Sequence, residues 1–459
     1  MMDVSTAAGV LGARQSGPNV GFAGVATDSR QMRPGDLFVA LRGERFDGHA
    51  FVDAAFKAGA VAAMLEEGAA VVRADAALIL VADTRVALGQ LAAWWRRRFS
   101  LSLVAVTGSN GKTTVKEMLA AVLRAAAGDD AVLATTGNLN NDIGMPLMLL
   151  RLREQHRHAV IEMGMNHRGE IAYLTQLASP TIALVTNAGT AHLGELGSRD
   201  AIAQAKGEIY QGLGERGVAL INADDSYAEY WRELNRGRSV IDFGIDHPAA
   251  ITAQCELAGA GSLMSVVTPR SRYVVRLQVP GLHNVRNALA SAAAAYAAGI
   301  DPIHVSEGLA RYGGTYGRLQ RRAARRGATL IDDTYNANPD SVRAAIAVLA
   351  AEPGRRVLVL GDMGELGARA AQLHSEVGAA AREAGIDHLL TLGELSQAAT
   401  TSFGVGARHF QELDVLCAAL DELLAPGTTI LVKGSRFMRM ERVIERFVNG
   451  GPKSAQGGH

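Results

Sequence analysis

Short apolar runs separated by helix-like stretches dominate the middle of the chain. The runs occupy residues 103–106, 131–134, 159–163, 182–186 and 218–221. Runs of this length rich in branched aliphatic residues are typical of buried strands, and the stretches between them are long enough for a crossover helix. The alternation predicts an α/β fold with a largely parallel sheet and helices on both faces, in which ligands bind at the carboxyl ends of the strands.

Both flanking regions carry α/β patterns of their own. Near the N-terminus, a Pro-Gly-Asp turn leads into a predicted strand over 37–41, and a helix is predicted over 83–99 that ends in the solvated run Arg96, Arg97 and Arg98. A further hairpin is predicted from the runs 262–267 and 273–279. At 459 residues, the chain has the length of about three ordinary domains.

A new α/β pattern starts near Gly313. A strand is predicted over 328–331, and strands followed by glycine turns are predicted over 357–367 and from Thr429 onwards. None of these turns carries the full GxGxxG fingerprint, so no nicotinamide cofactor is assigned. The basic run 321–326 is interpreted as a solvated hairpin.

A glycine-rich turn joins the first apolar run of the middle region to a predicted helix. The stretch LVAVTGSNGKTT contains seven candidate phosphate-binding residues: Gly108, Ser109, Asn110, Gly111, Lys112, Thr113 and Thr114. Glycines let several backbone N–H groups face one anion, the helix N-terminus adds its positive end, the lysine reaches the terminal phosphates and Thr113 offers a hydroxyl to Mg²⁺. The position five residues before Gly111 is Val106 rather than the usual glycine, so the motif has the shorter form GxxGKT.

Composition narrows the function classes. Acidic and basic residues balance at 46 each, so no overall field would recruit nucleic acid or an anionic membrane. Cys255 and Cys417 lie far apart without metal-ligand spacing, which favours a reducing cytoplasm over a disulfide framework or a zinc site. We expect no membrane insertion, because no stretch stays apolar long enough to cross a bilayer.

Three titratable residues follow strands of the middle region or lie near them. Glu162 ends the run AVIEMG, where a carboxylate would bind a metal or a metal-bound water. His192 follows the next strand and is either a second metal ligand or a capped loop histidine. Lys206 lies on a predicted helix and, taken alone, is interpreted as a solvated lysine.

Amide and hydroxyl clusters supply further candidates. Asn138, Asn140 and Asn141 surround a glycine turn and either hydrogen-bond a substrate or serve as turn residues. Asn284 and Asn287 lie in the first turns of a predicted helix and are candidates for contacting an adenine edge. A further polar cluster, TDSR, contains Ser29 and Arg30 and suits either a ligand or turn capping.

Taken together, these motifs resemble those of the bacterial Mur ligases. They are TDSR, PGDLFVALRG, VTGSNGKTTVKE, TTGNLNNDIGMPL, VIEMG, AHLGELGS, AKGEI, PGLHNVRNALA, DDTYNANPDS, VLGDMGELG and LVKGSR. The resemblance covers nearly the whole chain and is strongest to the branch that adds D-alanyl-D-alanine to UDP-N-acetylmuramoyl-tripeptide. It implies an N-terminal UDP-binding domain (residues 1–99), a central P-loop ATPase (100–312) and a C-terminal Rossmann-like domain that brings the dipeptide (313–459).

The resemblance also implies roles for individual residues. Lys112 would hold ATP phosphates, Thr113 and Glu162 would bind a first Mg²⁺ and His192 a second, while Lys206 matches a lysine that becomes carbamylated and so helps to place Mg²⁺. Asn284 and Asn287 would line the adenine, Arg318 would contact the γ-phosphate and Asp333 the ribose. The uridylated substrate would face Ser29, Arg30, Asn138, Asn140 and Asn141, and the acyl and dipeptide side would be served by Asn336, Lys433 and Arg436.

The expected activity is an ATP-dependent amide ligation in the cytoplasm by a monomer. Two alternatives stay open at this point. A sibling ligase that adds another amino acid, or a glutamate to folate, would share the central domain. A non-catalytic nucleotide-binding regulator would keep the phosphate loop without needing an amine substrate.

Overall fold

The computed structural model describes residues 1–44, 46–69, 75–258 and 261–448. The last residues of the predicted C-terminal domain, 449–459, therefore lie outside the described part of the chain. Three main sheets divide the described residues into N-terminal, middle and C-terminal domains, and the predicted α/β fold class is confirmed.

The N-terminal domain is built on a five-stranded sheet in the order β2-β7-β6-β5-β4, in which only β2 is antiparallel. Its strands are β1 (Met2–Asp3), β2 (Arg14–Ser16), β3 (Gly21–Phe22), β4 (Gly24–Ala26), β5 (Asp36–Val39), β6 (Ala62–Glu66) and β7 (Leu78–Val81). The short strands β1 and β3 pair separately. Its helices are α1 (Val4–Leu11), α2 (Val52–Lys57) and α3 (Thr84–Arg96).

The middle domain contains a nine-stranded sheet in the order β16-β15-β14-β13-β12-β11-β8-β10-β9. Its strands are β8 (Ser102–Thr107), β9 (Val132–Ala134), β10 (His158–Glu162), β11 (Ile182–Val185), β12 (Val218–Asn222), β13 (Ser239–Gly244), β14 (Ile251–Ala258), β15 (Gly261–Val267) and β16 (Arg272–Leu277). The pairs from β9 to β14 are parallel, and β15 and β16 extend the edge antiparallel. The predicted hairpin is therefore part of the main sheet.

Helices cover both faces of that sheet. They are α4 (Lys112–Ala127), α5 (Gly144–Leu149), α6 (Glu170–Ala178), α7 (Leu193–Leu196), α8 (Arg199–Gly207), α9 (Ala228–Leu234), α10 (Leu282–Ala297) and α11 (Pro302–Arg311). Chain order reverses around β8, whose neighbours are β10 and β11. A crevice for ligands opens at such a switch point, and the glycine-rich turn follows β8 there.

The C-terminal domain contains a six-stranded sheet in the order β17-β18-β22-β19-β20-β21. Its strands are β17 (Gln320–Ala323), β18 (Thr329–Asp333), β19 (Arg355–Gly361), β20 (His388–Leu392), β21 (Ala407–Phe410) and β22 (Thr428–Lys433), and only β17 is antiparallel. The helices are α12 (Pro339–Ala350), α13 (Ala370–Glu383), α14 (Gln397–Phe403), α15 (Leu413–Asp421) and α16 (Glu441–Phe447).

The interpretation of Arg96 as part of a solvated helix end is wrong. Its side chain is buried, with Nε donating to the Ala178 carbonyl at 3.0 Å and a terminal nitrogen donating to the Phe99 carbonyl at 2.7 Å. The neighbouring Trp95 donates to the Leu152 carbonyl at 3.1 Å. Buried polar groups need such partners, so the end of α3 anchors the N-terminal domain to the middle domain.

The basic run 321–326 is also less solvated than expected. Arg321 donates through both terminal nitrogens to the buried carboxylate of Glu352, at 2.5 and 2.9 Å. A two-point pair of this kind fixes geometry as well as charge. It ties β17 to the residues that follow α12.

Candidate active site

A cleft of about 1160 Å³ lies between the middle and C-terminal domains, at the carboxyl ends of both sheets. Most of the predicted site residues line it: Ser109, Asn110, Gly111, Lys112, Thr113, Thr114, Asn138, Asn140, Asn141, Glu162, His192, Asn284, Asn287, Arg318, Asp333, Asn336, Lys433 and Arg436. Gly108 does not line the cleft but belongs to the same glycine-rich turn as Ser109, Asn110 and Gly111. The other predicted site residues, Lys206, Ser29 and Arg30, are not among the residues that line the cleft.

The glycine-rich turn has the shape of an anion cradle because two of its positions exclude a side chain. Gly108 has φ +149°, and a Cβ there would lie 1.8 Å from Thr186 Oγ1. Gly111 has φ +83°, and a Cβ there would lie 2.3 Å from Asn287 Oδ1. Positive φ favours glycine at both positions, and the close approach of neighbouring side chains excludes larger residues.

The lysine of the turn points back into the cradle. Lys112 Nζ donates to the Gly108 carbonyl at 2.7 Å. Burial lowers the pKa of Lys112, while the carboxylate of Glu162 acts in the opposite direction. The amine therefore sits where it can exchange a carbonyl for a phosphate oxygen.

We call residues 108–114, the glycine-rich turn with the start of α4, the phosphate loop. A buried carboxylate with one unused oxygen faces this loop. Glu162 ends β10, and its Oε1 accepts a hydrogen bond from Asn140 Nδ2 at 2.8 Å. Its Oε2 is buried and has no hydrogen-bond partner among the described residues. Mg²⁺ usually takes one or two carboxylates and completes its shell with water and substrate phosphates. The residues Glu162 and Thr113 fit that donor set.

His192 is the N-cap residue just before α7 and has φ +64°, a backbone conformation that few non-glycine residues adopt. Its Nδ1 lies 2.8 Å from Glu365 Oε2 in the C-terminal domain, although the two groups are not aligned as a hydrogen bond. The contact holds the imidazole at the domain boundary. The imidazole lowers the pKa of Glu365 through their interaction.

The interpretation of Lys206 as a solvated lysine is wrong. Its side chain is 1 % exposed, near the end of α8. Burial lowers its pKa well below the ordinary value, and the charge of Lys112 acts in the same direction. A neutral buried amine is nucleophilic, which is the property that carbamylation requires.

The three asparagines after β9 have different surroundings. Asn140 holds Glu162, whereas Asn141 Oδ1 accepts from the Gly144 backbone N–H at 2.8 Å and so caps the start of α5. Asn138 is exposed on the loop. Asn141 therefore shapes the loop, whereas Asn140 orients Glu162 and Asn138 faces solvent.

The first turns of α10 form another wall. Asn284 is buried and donates through Nδ2 to the Pro280 carbonyl at 2.8 Å, and Asn287 packs over Gly111. Beside them, burial lowers the pKa of His283 to about 4, helped by Lys433 and Arg286. His283 is therefore neutral at physiological pH.

The C-terminal domain contributes a cation to the phosphate loop. Arg318 donates to Thr113 Oγ1 at 3.0 Å, and its guanidinium lies over the ring of Tyr335 at 4.3 Å. The contact joins residues that are 205 positions apart in the chain. Stacking on an aromatic face fixes the plane of the guanidinium.

Asp333 and Lys433 form one pair rather than two independent sites. Lys433 Nζ donates to Asp333 Oδ2 at 2.5 Å and to the Asn336 carbonyl at 2.9 Å. Burial raises the pKa of Asp333 and the lysine opposes that effect. Arg436, by contrast, is largely exposed and pairs with Glu441 at 3.0 Å. Arg436 is therefore the more accessible of the two cations.

The N-terminal candidates lie away from this cleft. Ser29 and Arg30 belong to a short 3₁₀ turn, Ser29–Gln31, and the Arg30 side chain is 87 % exposed beside Asp28. The cap that Asp28 makes on this turn accounts for part of the TDSR cluster. The role of Ser29 and Arg30 toward a uridylated substrate stays a prediction.

Sequence reasoning assigned no role to four residues at the boundary between the two domains. They are Thr190, Asn338, Asp340 and Glu365, and all four contact the opposite domain. They lie in the motifs AHLGELGS, DDTYNANPDS and VLGDMGELG or just before them. Nothing in the local pattern indicates which side chain of a motif reaches across the cleft.

Family models match along the chain in the order of the three domains. Residues 22–96 match the Mur ligase family catalytic domain, 106–295 the Mur ligase middle domain, and 317–436 the Mur ligase glutamate ligase domain. A relative in Escherichia coli strain K12, UDP-N-acetylmuramoyl-tripeptide–D-alanyl-D-alanine ligase, is 43% identical over 96% of this chain and 97% of its own length.

Comparison with solved structures gives the same family. MurF from Acinetobacter baumannii superposes with a TM-score of 0.89 at 38% identity, covering 96% of this chain and 98% of the other. MurF ligase from Thermotoga maritima in complex with ADP superposes with a TM-score of 0.81 at 30% identity, covering 92% and 96%. The chain belongs to the Mur ligase family.

Among the described residues, no helix combines the length and apolarity that a bilayer crossing requires. Cys255 and Cys417 are both free thiols.

Proposed function

We propose that this chain joins D-alanyl-D-alanine to UDP-N-acetylmuramoyl-tripeptide at the expense of ATP, through an acyl phosphate. The observation that carries the proposal is the contact of Arg318 with Thr113, 3.0 Å across the domain boundary. It brings a cation of the C-terminal domain to the phosphate loop of the middle domain. The relatives of similar length that share both domains bear the name of this activity.

The uridylated acceptor would be held by the N-terminal domain and by the loop after β9. Ser29 and Arg30 are the candidates on the first, and Asn138, Asn140 and Asn141 on the second, with Asn141 reduced to shaping the loop because it caps α5. Asn336 and Arg436 on the opposite wall would face the incoming dipeptide, since both line the cleft. This arrangement delivers the two reactants from opposite sides.

A first Mg²⁺ would be held by Thr113 and by the unused oxygen of Glu162, and a second by His192; all three residues line the cleft. When bound, Mg²⁺ supplies charge neutralisation for the phosphoryl oxygens. A carbamylated Lys206 would position this set from beneath.

The reaction needs an activated acyl group because a carboxylate is a poor electrophile. An oxygen of the acceptor carboxylate attacks the γ-phosphorus of ATP, the bond to the β-phosphate oxygen breaks, and ADP leaves. The dipeptide amine then attacks the acyl carbon, inorganic phosphate leaves and the amine gives up a proton. Lys112 and Arg318 stabilise the phosphoryl charge, and the meeting walls of the cleft exclude water from the acyl phosphate.

The direct test is phosphate release by the purified protein with ATP, Mg²⁺ and UDP-N-acetylmuramoyl-tripeptide. We expect release to depend on D-alanyl-D-alanine and not on single amino acids or on folate with glutamate. Turnover with one of those other amines alone would assign the chain to a sibling ligase. Nucleotide binding with no amine-stimulated turnover would indicate a regulator. We further propose a monomeric protein of the cytoplasm, in keeping with the free thiols.

A further inference from the structure

Like Arg318, two side chains at the start of α12 contact the middle domain. They bind the phosphate loop and the loop that follows β11. Asn338 and Asp340 belong to the C-terminal domain, and their partners Asn110 and Thr190 belong to the middle domain. The contacts join residues 228 and 150 positions apart. We call these four residues the clasp.

Asn338 has two roles at once. Its Oδ1 accepts from the Ser341 backbone N–H at 2.9 Å and caps α12, while its Nδ2 donates to Asn110 Oδ1 at 2.8 Å. The residue is 8% exposed, so neither bond competes freely with water. The cap of a C-terminal helix is thereby continuous with the phosphate loop.

The partner Asn110 is held in place by its backbone. Its N–H donates to Asn187 Oδ1 at 3.0 Å, and its carbonyl accepts from Thr186 Oγ1 at 2.6 Å. Both partners follow β11. The Asn110 side chain is thus left to face the C-terminal domain, directly beside the backbone that cradles the phosphates.

Asp340 makes the second point of the clasp. Its Oδ2 accepts from both the backbone N–H and the hydroxyl of Thr190, each at 2.8 Å. The approach depends on Gly189, where a Cβ would lie 2.6 Å from Asp340 Oδ2. Thr190 is two residues before His192, so this point also fixes the loop that carries the imidazole.

We propose that the clasp couples the phosphate loop to the position of the C-terminal domain, with Asn338 and Asp340 as positioning residues for the transfer of the dipeptide. The kinetic part of this inference rests on the proposed function. Loss of either contact lowers the fraction of molecules in which the two walls of the cleft are docked. A two-bond contact to a carboxylate is strong enough to shift that ratio roughly tenfold.

Three substitutions test the effect of the clasp on domain docking separately from its effect on folding stability. Asn338→Ser retains a good helix cap but is too short to reach Asn110. Asp340→Ala removes the acceptor of both Thr190 bonds. Gly189→Ala adds one methyl that would lie 2.6 Å from Asp340 Oδ2 and 3.3 Å from Asn110 Nδ2, so it disturbs both points of the clasp, at a position whose φ is not in the glycine-favouring region. The control is Asp301→Ala, which removes the cap of α11 away from the cleft.

The experiment uses the full-length chain with a non-hydrolysable ATP analogue and Mg²⁺. Small-angle scattering measures the docked fraction, and steady-state kinetics measure kcat/KM for D-alanyl-D-alanine. We expect each clasp variant to lower the docked fraction and to reduce kcat/KM roughly tenfold, with a thermal midpoint no lower than that of the control. Asp340→Ala combined with Gly189→Ala should be no worse than Gly189→Ala alone, because Gly189→Ala already disturbs the contact that Asp340→Ala removes.

Scattering and kcat/KM within twofold of wild type for all three variants would overturn the proposal. Additive losses in the double variant would overturn the assignment of Gly189 to the Asp340 contact. If Asp340→Ala does not fold, Gly189→Ala decides the matter. If wild type shows no dipeptide-dependent turnover, the proposed function fails, and the scattering comparison still tests the clasp.

Discussion

Lys206 is a residue whose chemistry is set by burial. Its amine is enclosed beneath the cleft, and burial together with the charge of Lys112 lowers its pKa well below the ordinary value. An uncharged amine can add CO₂ and lose a proton to become a carbamate anion, which Lys112 attracts, whereas a protonated Lys206 would be repelled by Lys112. This change of sign is the physical reason to expect a carbamate there.

We predict that Lys206→Ala lowers turnover by roughly a hundredfold. This is the upper end of the range of losses seen when a group that orients metal ligands is removed. Acetate should restore part of the activity, because the substitution leaves space for a small carboxylate, whereas bicarbonate should not. Lys206→Met fills the same space and should not respond to acetate. A ¹³C carbamate signal from labelled bicarbonate should occur in wild type only, and its absence from active wild type would contradict the prediction.

His283 predicts a pH dependence of stability. Its pKa is about 4 in the folded protein against 6.5 for an ordinary histidine, so the unfolded chain binds the extra proton first. Stability should therefore fall as pH drops from about 6.5 to 4, by up to about 3 kcal/mol. His283→Gln should flatten the fall in thermal midpoint over that range. Parallel curves for the two proteins would show that another group is responsible.

The sequence predicted those site residues whose position follows from a strand end. Glu162 and the glycine-rich turn both follow strands of one parallel sheet, so their meeting is a matter of local pattern. Burial of Lys206 was not predictable, since it depends on how α8 packs. The contacts of Asn338 and Asp340 cross more than a hundred residues of chain and two domains. No periodicity in one segment encodes such a contact.

At the scale of elements, the join between β8 and α4 depends on Gly111. A side chain there would have to adopt positive φ and displace Asn287. We predict that Gly111→Ala costs about 1–3 kcal/mol of stability and also abolishes tight ATP binding, because the cradle and the α10 wall separate. Calorimetric titration with an ATP analogue measures the second effect.

Gly169 provides a matched control, since it precedes α6 with φ +86° and a Cβ there would meet nothing within 4 Å. Gly169→Ala should carry the backbone cost alone and leave nucleotide affinity unchanged. Equal loss of affinity in both variants would mean that strain, not the contact with Asn287, accounts for the effect.

Element prediction was most complete in the first half of the middle domain and missed strands elsewhere. The five apolar runs of the middle region correspond to β8, β9, β10, β11 and β12. The strand β13 was missed because its first residues are exposed and Asp242 interrupts its apolar run, and it gains its partner β12 only in the sheet. The parallel strands β20 and β21 were also missed: β21 is short, largely polar and partly exposed, whereas β20 is a short buried run that sequence reasoning passed over.

At the scale of the molecule, the two domain boundaries differ. Buried Arg96 and Trp95 fasten the N-terminal domain to the middle domain through backbone carbonyls. The boundary with the C-terminal domain instead consists mainly of side chains around an open cleft, with one backbone hydrogen bond from the Gly194 N–H to the Glu365 carbonyl at 2.7 Å. We therefore expect movement between the middle and C-terminal domains to cost less free energy than movement between the N-terminal and middle domains.

A substitution of Arg318 tests whether this domain boundary takes part in catalysis. We predict that Arg318→Lys lowers kcat at least tenfold, because a lysine cannot both stack on Tyr335 and reach the phosphate loop. Nucleotide affinity should change less than threefold. Arg322→Lys, which alters a second arginine stacked on a tyrosine outside the cleft, is the control and should leave kcat unchanged. Equal kcat values for Arg318→Lys and wild type would remove Arg318 from the transfer step.

Because the cleft has one wall on each of two domains, its geometry also governs how long a bound compound stays. A small molecule that hydrogen-bonded Asn110 and Asn338 together would leave only when the domains part. Its residence time would then report the opening rate of the protein, and inhibitors designed for this cleft would be ranked by dissociation kinetics rather than by equilibrium affinity.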